Sequence, residues 1–284
     1  MAAPLNRLTS FFRELGKRRG AMVGLVVFLM LVAMAVLAPR IAPYSPNAQS
    51  MERILSAPNR DNLFGTDQYG RDIFSRVIWG ARLSLRVGFV SVAIAACVGT
   101  LVGLLAGYYG SRVDAVIMAL TDILLAFPSI LLAMAIVAVL GPSLVNLMIA
   151  VGIGAIPTYA RVVRASTLSA KELQYVEAAR AMGCSNARVM IRHVLPNVVA
   201  PVIVLSTLGV AGAILTASGL SFIGLGAQPP TPEWGAMLAE GRTYIQDGWW
   251  ITTFPGVAIM LAVLSVNMFG DGLRDALDPR LRTR

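Results

Sequence analysis

His193 is the only histidine in this 284-residue sequence, and Cys184 is the thiol nearest to it. A cysteine and a histidine could share a proton in nucleophilic chemistry. On a continuous helix, however, their spacing turns the two side chains about 180° apart, although Gly183, just before Cys184, leaves that geometry loose. Cys97 lies in an apolar stretch far from Cys184, so the two cysteines give neither a disulfide framework nor metal-ligand spacing and read as packing residues. No HExxH, Walker A or GxSxG pattern occurs. The expectation is a chain that catalyses nothing itself, is not an enzyme, and has no catalytic, cofactor-binding or metal-ligating residues.

One other residue stands out chemically. Asp122 is the acid deepest in apolar sequence, nine residues past Val113 and so roughly 13 Å along a helix. At the middle of a bilayer its charge costs on the order of 2.5–3.5 kcal/mol, so it must face protein or water. It reads either as a lining residue of a transport route or as a helix-to-helix hydrogen bond.

The bilayer follows from composition: 56% of residues are hydrophobic, only 14% are charged, and mean hydropathy is +0.70. Soluble domains carry about 25% charged residues. A net charge of +9 would suggest nucleic acid in a soluble protein, but here the basic residues sit mostly between apolar runs, as membrane orientation requires, so nucleic-acid binding is excluded and membrane lipid expected. The fold class is an all-α membrane protein with six transmembrane helices, near residues 21–38, 84–108, 113–140, 144–163, 198–226 and 251–270. The first run is too long for a secretory signal and is followed by Pro39, so it reads as an uncleaved span. Only Gly141, Pro142 and Ser143 separate the third and fourth spans, which predicts a tight hairpin, and prolines 128, 157, 201 and 255 predict kinks within spans.

With both termini in the cytoplasm, inner segments hold more than twice the Lys and Arg of outer ones. All four tryptophans, Trp79, Trp234, Trp249 and Trp250, then fall in outer segments near span ends, where interface anchors belong. Without catalytic motifs, the energy for any transport must come from an ion gradient or another subunit.

The charged stretch SAKELQYVEAARAMGCSNARVMIRHVLPN, 169–197, becomes a cytoplasmic island. Ser169 and Glu172 form a capping-box pattern, which predicts a helix from Ala170 to Met182, stopped by Gly183. A second helical run from Ala187 reaches Pro196. Tyr175, Ala178, Ala179, Met182 and Gly183 share one side of the first helix while Leu173 and Val176 lie well around from them, so two neighbours are expected, with Glu177 and Arg180 as an i,i+3 pair.

In the first outer segment, Ile73, Phe74, Val77 and Ile78 repeat at helical spacing among Arg71, Asp72, Ser75 and Arg76, the pattern of a helix lying in the outer interface. The second outer segment opens with AQPPTPEWG, whose three prolines, Pro229, Pro230 and Pro232, predict a shaped loop suited to docking or to covering an opening.

The island resembles the cytoplasmic loop signature of permease subunits of ABC importers: EAA, three residues, Gly, nine residues, Ile, two residues, Pro. Glu177, Ala178, Ala179, Gly183 and Pro196 match in register, and His193 stands at the Ile position, as in the dipeptide, oligopeptide and nickel branch. FGTDQYGRDIFSRVIWGARLSL, DILLAFPSILLA, SGLSFIGLGAQPPTPEWGAML and GDGLRDALDPRLR are similar to the C-type permease subunit of that branch, including its dipeptide and glutathione systems. The resemblance implies a MetI-like ABC importer permease fold, with residues 1–63 as N-terminal cytoplasmic segment, first span and start of the outer loop, and 64–284 as a permease core containing a coupling loop, 164–197. It implies ATPase coupling through Glu177, Ala178, Ala179, Arg180, Gly183 and Pro196. Outer docking residues are then Arg71, Asp72, Pro229, Pro230 and Trp234. Implied partners are a homologous B-type permease, two cytoplasmic ATPase subunits that carry the ATP and magnesium, and an extracytoplasmic substrate-binding protein, in the bacterial inner membrane. The rival expectation is a gradient-driven carrier with Asp122 as its proton site.

Overall fold

The computed structural model describes residues 18–277; Arg7, Arg13, Lys17 and the last residues of the GDGLRDALDPRLR stretch lie outside them. Among the described residues the only strand-like pairing is one bridge between Thr66 and Asp72, and the rest of the regular structure is helical. The helices are α1 (Arg19–Ile41), α2 (Ile73–Tyr109), α3 (Ser111–Ala126), α4 (Ser129–Leu140), α5 (Leu144–Lys171), α6 (Gln174–Ala181), α7 (Asn186–Val189), α8 (Leu195–Phe222), α9 (Trp234–Gly241) and α10 (Trp250–Leu277). A π turn, Met190–Val194, makes α7 and α8 one continuous stretch.

Five of these stretches are long and apolar enough to cross a bilayer, and α3 with α4 makes a sixth only as a bent pair. The third expected span is therefore broken rather than kinked, with an angle of 91° between its halves. Pro128 is the cause: its ring disfavours helical backbone at the residue before it, and Phe127 adopts φ −91°, ψ 135°. Pro157, Pro201 and Pro255 are held inside continuous helices α5, α8 and α10. The expected hairpin between spans three and four is α4 and α5. Gly141 turns with φ +87°, Ser143 Oγ accepts from the Asn146 N–H, and the Asn146 amide donates to the carbonyls of Leu140 and Gly141.

α2 and α5 form the closest pairing because α2 offers a stripe of glycines. A Cβ on Gly99 would come within 3.0 Å of the Ile156 carbonyl, and one on Gly107 within 2.9 Å of the Arg164 carbonyl, with Gly103 lying against Ala160 between them. Small residues one turn apart let helix backbones approach in lipid, where no hydrophobic force drives association. Around this pair, α1, α8, α9 and α10 close the main core, which includes Leu85, Leu147, Ile214, Leu220, Trp234 and Ala262.

The expected interfacial helix at 73–78 is instead the start of the 37-residue α2. Its charged side does not face water: Arg71, Asp72, Ser75 and Arg76 are all buried with Ile73, Val77 and Ile78.

Candidate functional site

The island is built differently from its local signals. Ser169 does not cap a helix: α5 runs through it to Lys171, and the Ser169 hydroxyl donates back to the Ala165 carbonyl. The chain turns at Leu173, whose extended backbone starts α6 at Gln174. Gly183, φ +79°, ends α6 with a doubled cap: its N–H bonds the Arg180 carbonyl at 2.9 Å and the Cys184 N–H bonds the Ala179 carbonyl at 3.1 Å. Pro196 does not separate the second run from the next span, because the helical stretch continues through it, and the π turn directly ahead accommodates a residue with no N–H to give. The helix widens into the π turn just ahead, and the His193 carbonyl accepts from the Asn197 amide at 2.7 Å.

Beneath α6 lies a second, smaller core of Leu104, Tyr108, Val163, Ala170, Val176, Val189 and others, with Cys184 packed against it. Val176 belongs to it, and Ala179, one turn on, is buried as well. Arg180 does not pair with Glu177; its guanidinium lies over the Tyr108 ring, 4.9 Å from the centroid, and the Tyr108 hydroxyl donates to Asn186 Oδ1. One of the two expected neighbours is thus the chain itself. The opposite side is open: Glu177, Ala178, Ala181 and Gly183 are exposed, Met182 is 78% exposed, and Tyr175 and Ile191 stand nearby. Of the six residues expected to couple, Ala179 alone is buried; Glu177, Ala178, Arg180, Gly183 and Pro196 reach the surface.

At the other end of the molecule, Arg71, Asp72 and Trp234, expected as docking residues, are buried and face no surface. Arg71 donates to Asp67 and to Glu240 of α9, each at 2.5 Å, and Arg76 donates to Glu240 and to the carbonyls of Pro46 and Pro230. Asp72 caps α2 through the Ser75 N–H and accepts from Asn62. Trp234 is not an interface anchor: its indole N–H donates to the Val77 carbonyl, as that of Trp250 does to Thr66, and both rings are buried. Pro229 and Pro230 are exposed. The partner carboxylate Glu240 was invisible to sequence reasoning, since it lies 169 residues from Arg71.

Asp122 is exposed and bonded at 2.6 Å to Arg161 of α5, with the Asp114–Arg164 pair two turns along α3. It is one half of an ion pair, and the apolar run around it hid a partner 39 residues away. On the same helix α5, further from the island, α2, α4, α5 and α8 surround a groove of about 220 Å³. Ser129, Thr158, Tyr159 and Thr216 line it, and no Asp, Glu, Lys, Arg or His does. Scattered single hydroxyls in apolar helices carry no sequence pattern, which is why this groove was not anticipated.

Residues 99–283 match the family described as binding-protein-dependent transport system inner membrane component, and residues 7–58 match the N-terminal TM domain of oligopeptide transport permease C. The chain is 49% identical over 272 residues to the dipeptide transport system permease protein of Alkalihalophilus pseudofirmus, covering 96% of this chain and 90% of that one. It is 48% identical to the di/tripeptide transport system permease protein of Pseudomonas aeruginosa, covering 97% and 93%. Among solved structures, an inward-facing MetNI methionine ABC transporter chain superposes with a TM-score of 0.57 at 20% identity, over 72% of this chain and 96% of that one.

Proposed function

Because the chain belongs to the family of inner-membrane components of binding-protein-dependent transport systems, we propose that it forms half of the translocation route of an ATP-driven importer of di- and oligopeptides. The chain is a transport component rather than an enzyme. The structural observation that carries the reading is the open side of α6. Glu177, Ala178, Met182 and Gly183 are presented around a firmly capped turn, on a helix whose other side is fixed to the main body through Val176 and Ala179.

In this reading the island lies in the cytoplasm, in keeping with the excess of Lys and Arg in its segments, and seats in one of two ATPase subunits that bind the ATP and magnesium. A homologous B-type permease completes the route. A substrate-binding protein delivers peptide on the opposite face, where Pro229 and Pro230 are the exposed members of the expected docking set. Glutathione, itself a tripeptide, is the nearest competing cargo. A proton-driven carrier finds no support: Asp122 is already paired with Arg161, and the relatives are permeases of peptide transport systems.

The test is reconstitution of the chain with its B-type partner, the ATPases and the binding protein in liposomes. ATP-dependent uptake of dialanine is expected. Met182→Glu is expected to cut uptake at least tenfold while the transporter keeps its thermal midpoint, because Met182 touches little of its own chain. Unchanged uptake by Met182→Glu overturns the coupling surface, and dialanine uptake by this chain alone overturns the ATP-driven reading.

A further inference from the structure

α3 is the least fastened helix of the bundle. Among the described residues, every membrane-length helix contributes to the main core, and so does α4 through Ala133 and Val137. No apolar residue of α3 belongs to either core or packs against one, and Thr121 is its one buried residue. Its ends add little. Gly110, φ +61°, joins it to α2 with open space around the turn, and the break at Phe127 and Pro128 separates it from α4.

What fastens α3 is charge, and both of its carboxylates go to α5. Asp114 accepts from Nε and Nη2 of Arg164 in a fork, and Asp122 accepts from Nη2 of Arg161 at 2.6 Å. A fork fixes orientation as well as distance. The Asp114–Arg164 pair is half-buried, whereas the Asp122–Arg161 pair is exposed. Eight residues, roughly 12 Å of helix, separate the two carboxylates, so α3 is held at two points along its length. A single pair would leave it free to pivot.

The position of the pairs says what they face and what moves them. Asp122 and Arg161 both lie inside apolar runs, where a charge open to lipid is costly, so the side of α3 and α5 that carries them faces water or another chain. Both arginines also lie on the island side of Pro157, on the part of α5 that ends at Lys171 beneath the island. A helix with no place in the core can shift without stranding buried apolar surface, provided that something carries it.

We propose that the two ion pairs form a clasp that makes α3 travel with the island end of α5 rather than with the core, so that α3 is a moving wall of the translocation route. The inference rests on the importer reading above. Arg161 and Arg164 are positioning residues in it: they act through α3.

The test measures dialanine uptake and ATP hydrolysis together in liposomes that hold the complete transporter and its binding protein. Asp114→Asn with Asp122→Asn opens the clasp, and peptide taken up per ATP hydrolysed is expected to fall at least fivefold while the thermal midpoint of the assembled transporter is retained. Arg161→Asp, which sets two carboxylates against each other, is expected to lower the same ratio, and adding Asp122→Arg to restore it to within twofold of the original. An unchanged ratio in the doubly neutralised protein, or no restoration by the exchanged pair, overturns the clasp. A direct measurement covers the case in which the neutralised protein fails to assemble. With Cys97→Ser and Cys184→Ser as background, spin labels on Val116→Cys and Ala165→Cys report the distance from α3 to α5, and labels on Val116→Cys and Leu215→Cys that from α3 to α8. Between nucleotide-free and vanadate-trapped transporter the first distance is expected to hold and the second to change; a second distance that holds, or a first that changes as much, overturns the clasp. ATP-dependent dialanine uptake by the unsubstituted transporter separates the two ideas: its absence removes the importer reading, whereas its presence with either failed result removes the clasp alone.

Discussion

At the proline-loop end, Arg71 and Arg76 meet Asp67 and Glu240 among buried tryptophans, and the loop carbonyl of Pro230 is tied in as well. At the island end the charged residues stand in solvent, and only a small apolar core with the Arg180–Tyr108 contact fastens α6 to the body. One end satisfies its polar groups internally; the other leaves a surface that something else can cover. Rigidity at the first end comes from desolvated ion pairs, which are costly to break because each partner would be stranded. The second end is held by a few contacts on one side of a short helix, which suits an element that must move with a partner.

Three substitutions probe that contrast, from the strongest effect to the weakest. Arg71→Met leaves Asp67 and Glu240 no cation but Arg76, at the longer distances of 3.8 and 3.3 Å. The expected loss is about 3–5 kcal/mol, read as a large fall in thermal midpoint or loss of folded protein in detergent. Trp234→Phe removes the indole N–H bond to the Val77 carbonyl, which keeps its own helix bond, and opens a gap beside Gly80, with an expected loss of about 1–3 kcal/mol in the same measurement. Arg180→Gln removes the cation from Tyr108 and should cost only about 0.5–1 kcal/mol. If Arg180→Gln proves as damaging as Arg71→Met, the island end is as rigidly built as the other and the contrast fails.

What the sequence conveyed tracks the distance over which each interaction acts. The glycine stop at Gly183, the hairpin at Gly141 and the apolar spans are local and were legible. The capping-box pattern at Ser169 was local too, yet tertiary contacts carried α5 past it, helped by the Lys171 ammonium donating to the Gly107 carbonyl. Pro128 signalled a kink, but whether a proline is absorbed, as at Pro157, or breaks the span depends on the packing around it. Arg71 and Asp72 read as outward-facing because charged residues at helical spacing usually are, and Trp234 because tryptophans near span ends usually anchor at the interface. Their burial depends on Glu240 and Val77, which lie far away in the chain. The island register pointed to a coupling surface, while only the packed structure shows that Ala179 turns inward and Met182 outward.

One consequence of α5 concerns leverage. Its 28 residues span roughly 42 Å and connect Tyr159 in the groove to Lys171 at the foot of the island without interruption. A rod of that length tilted by about 5° about one end displaces the other by roughly 4 Å, more than a hydrogen bond can stretch. The rod has one compliant point, Pro157, whose missing N–H removes a rung next to the groove. Force applied at the island therefore arrives as a bend two residues from Tyr159.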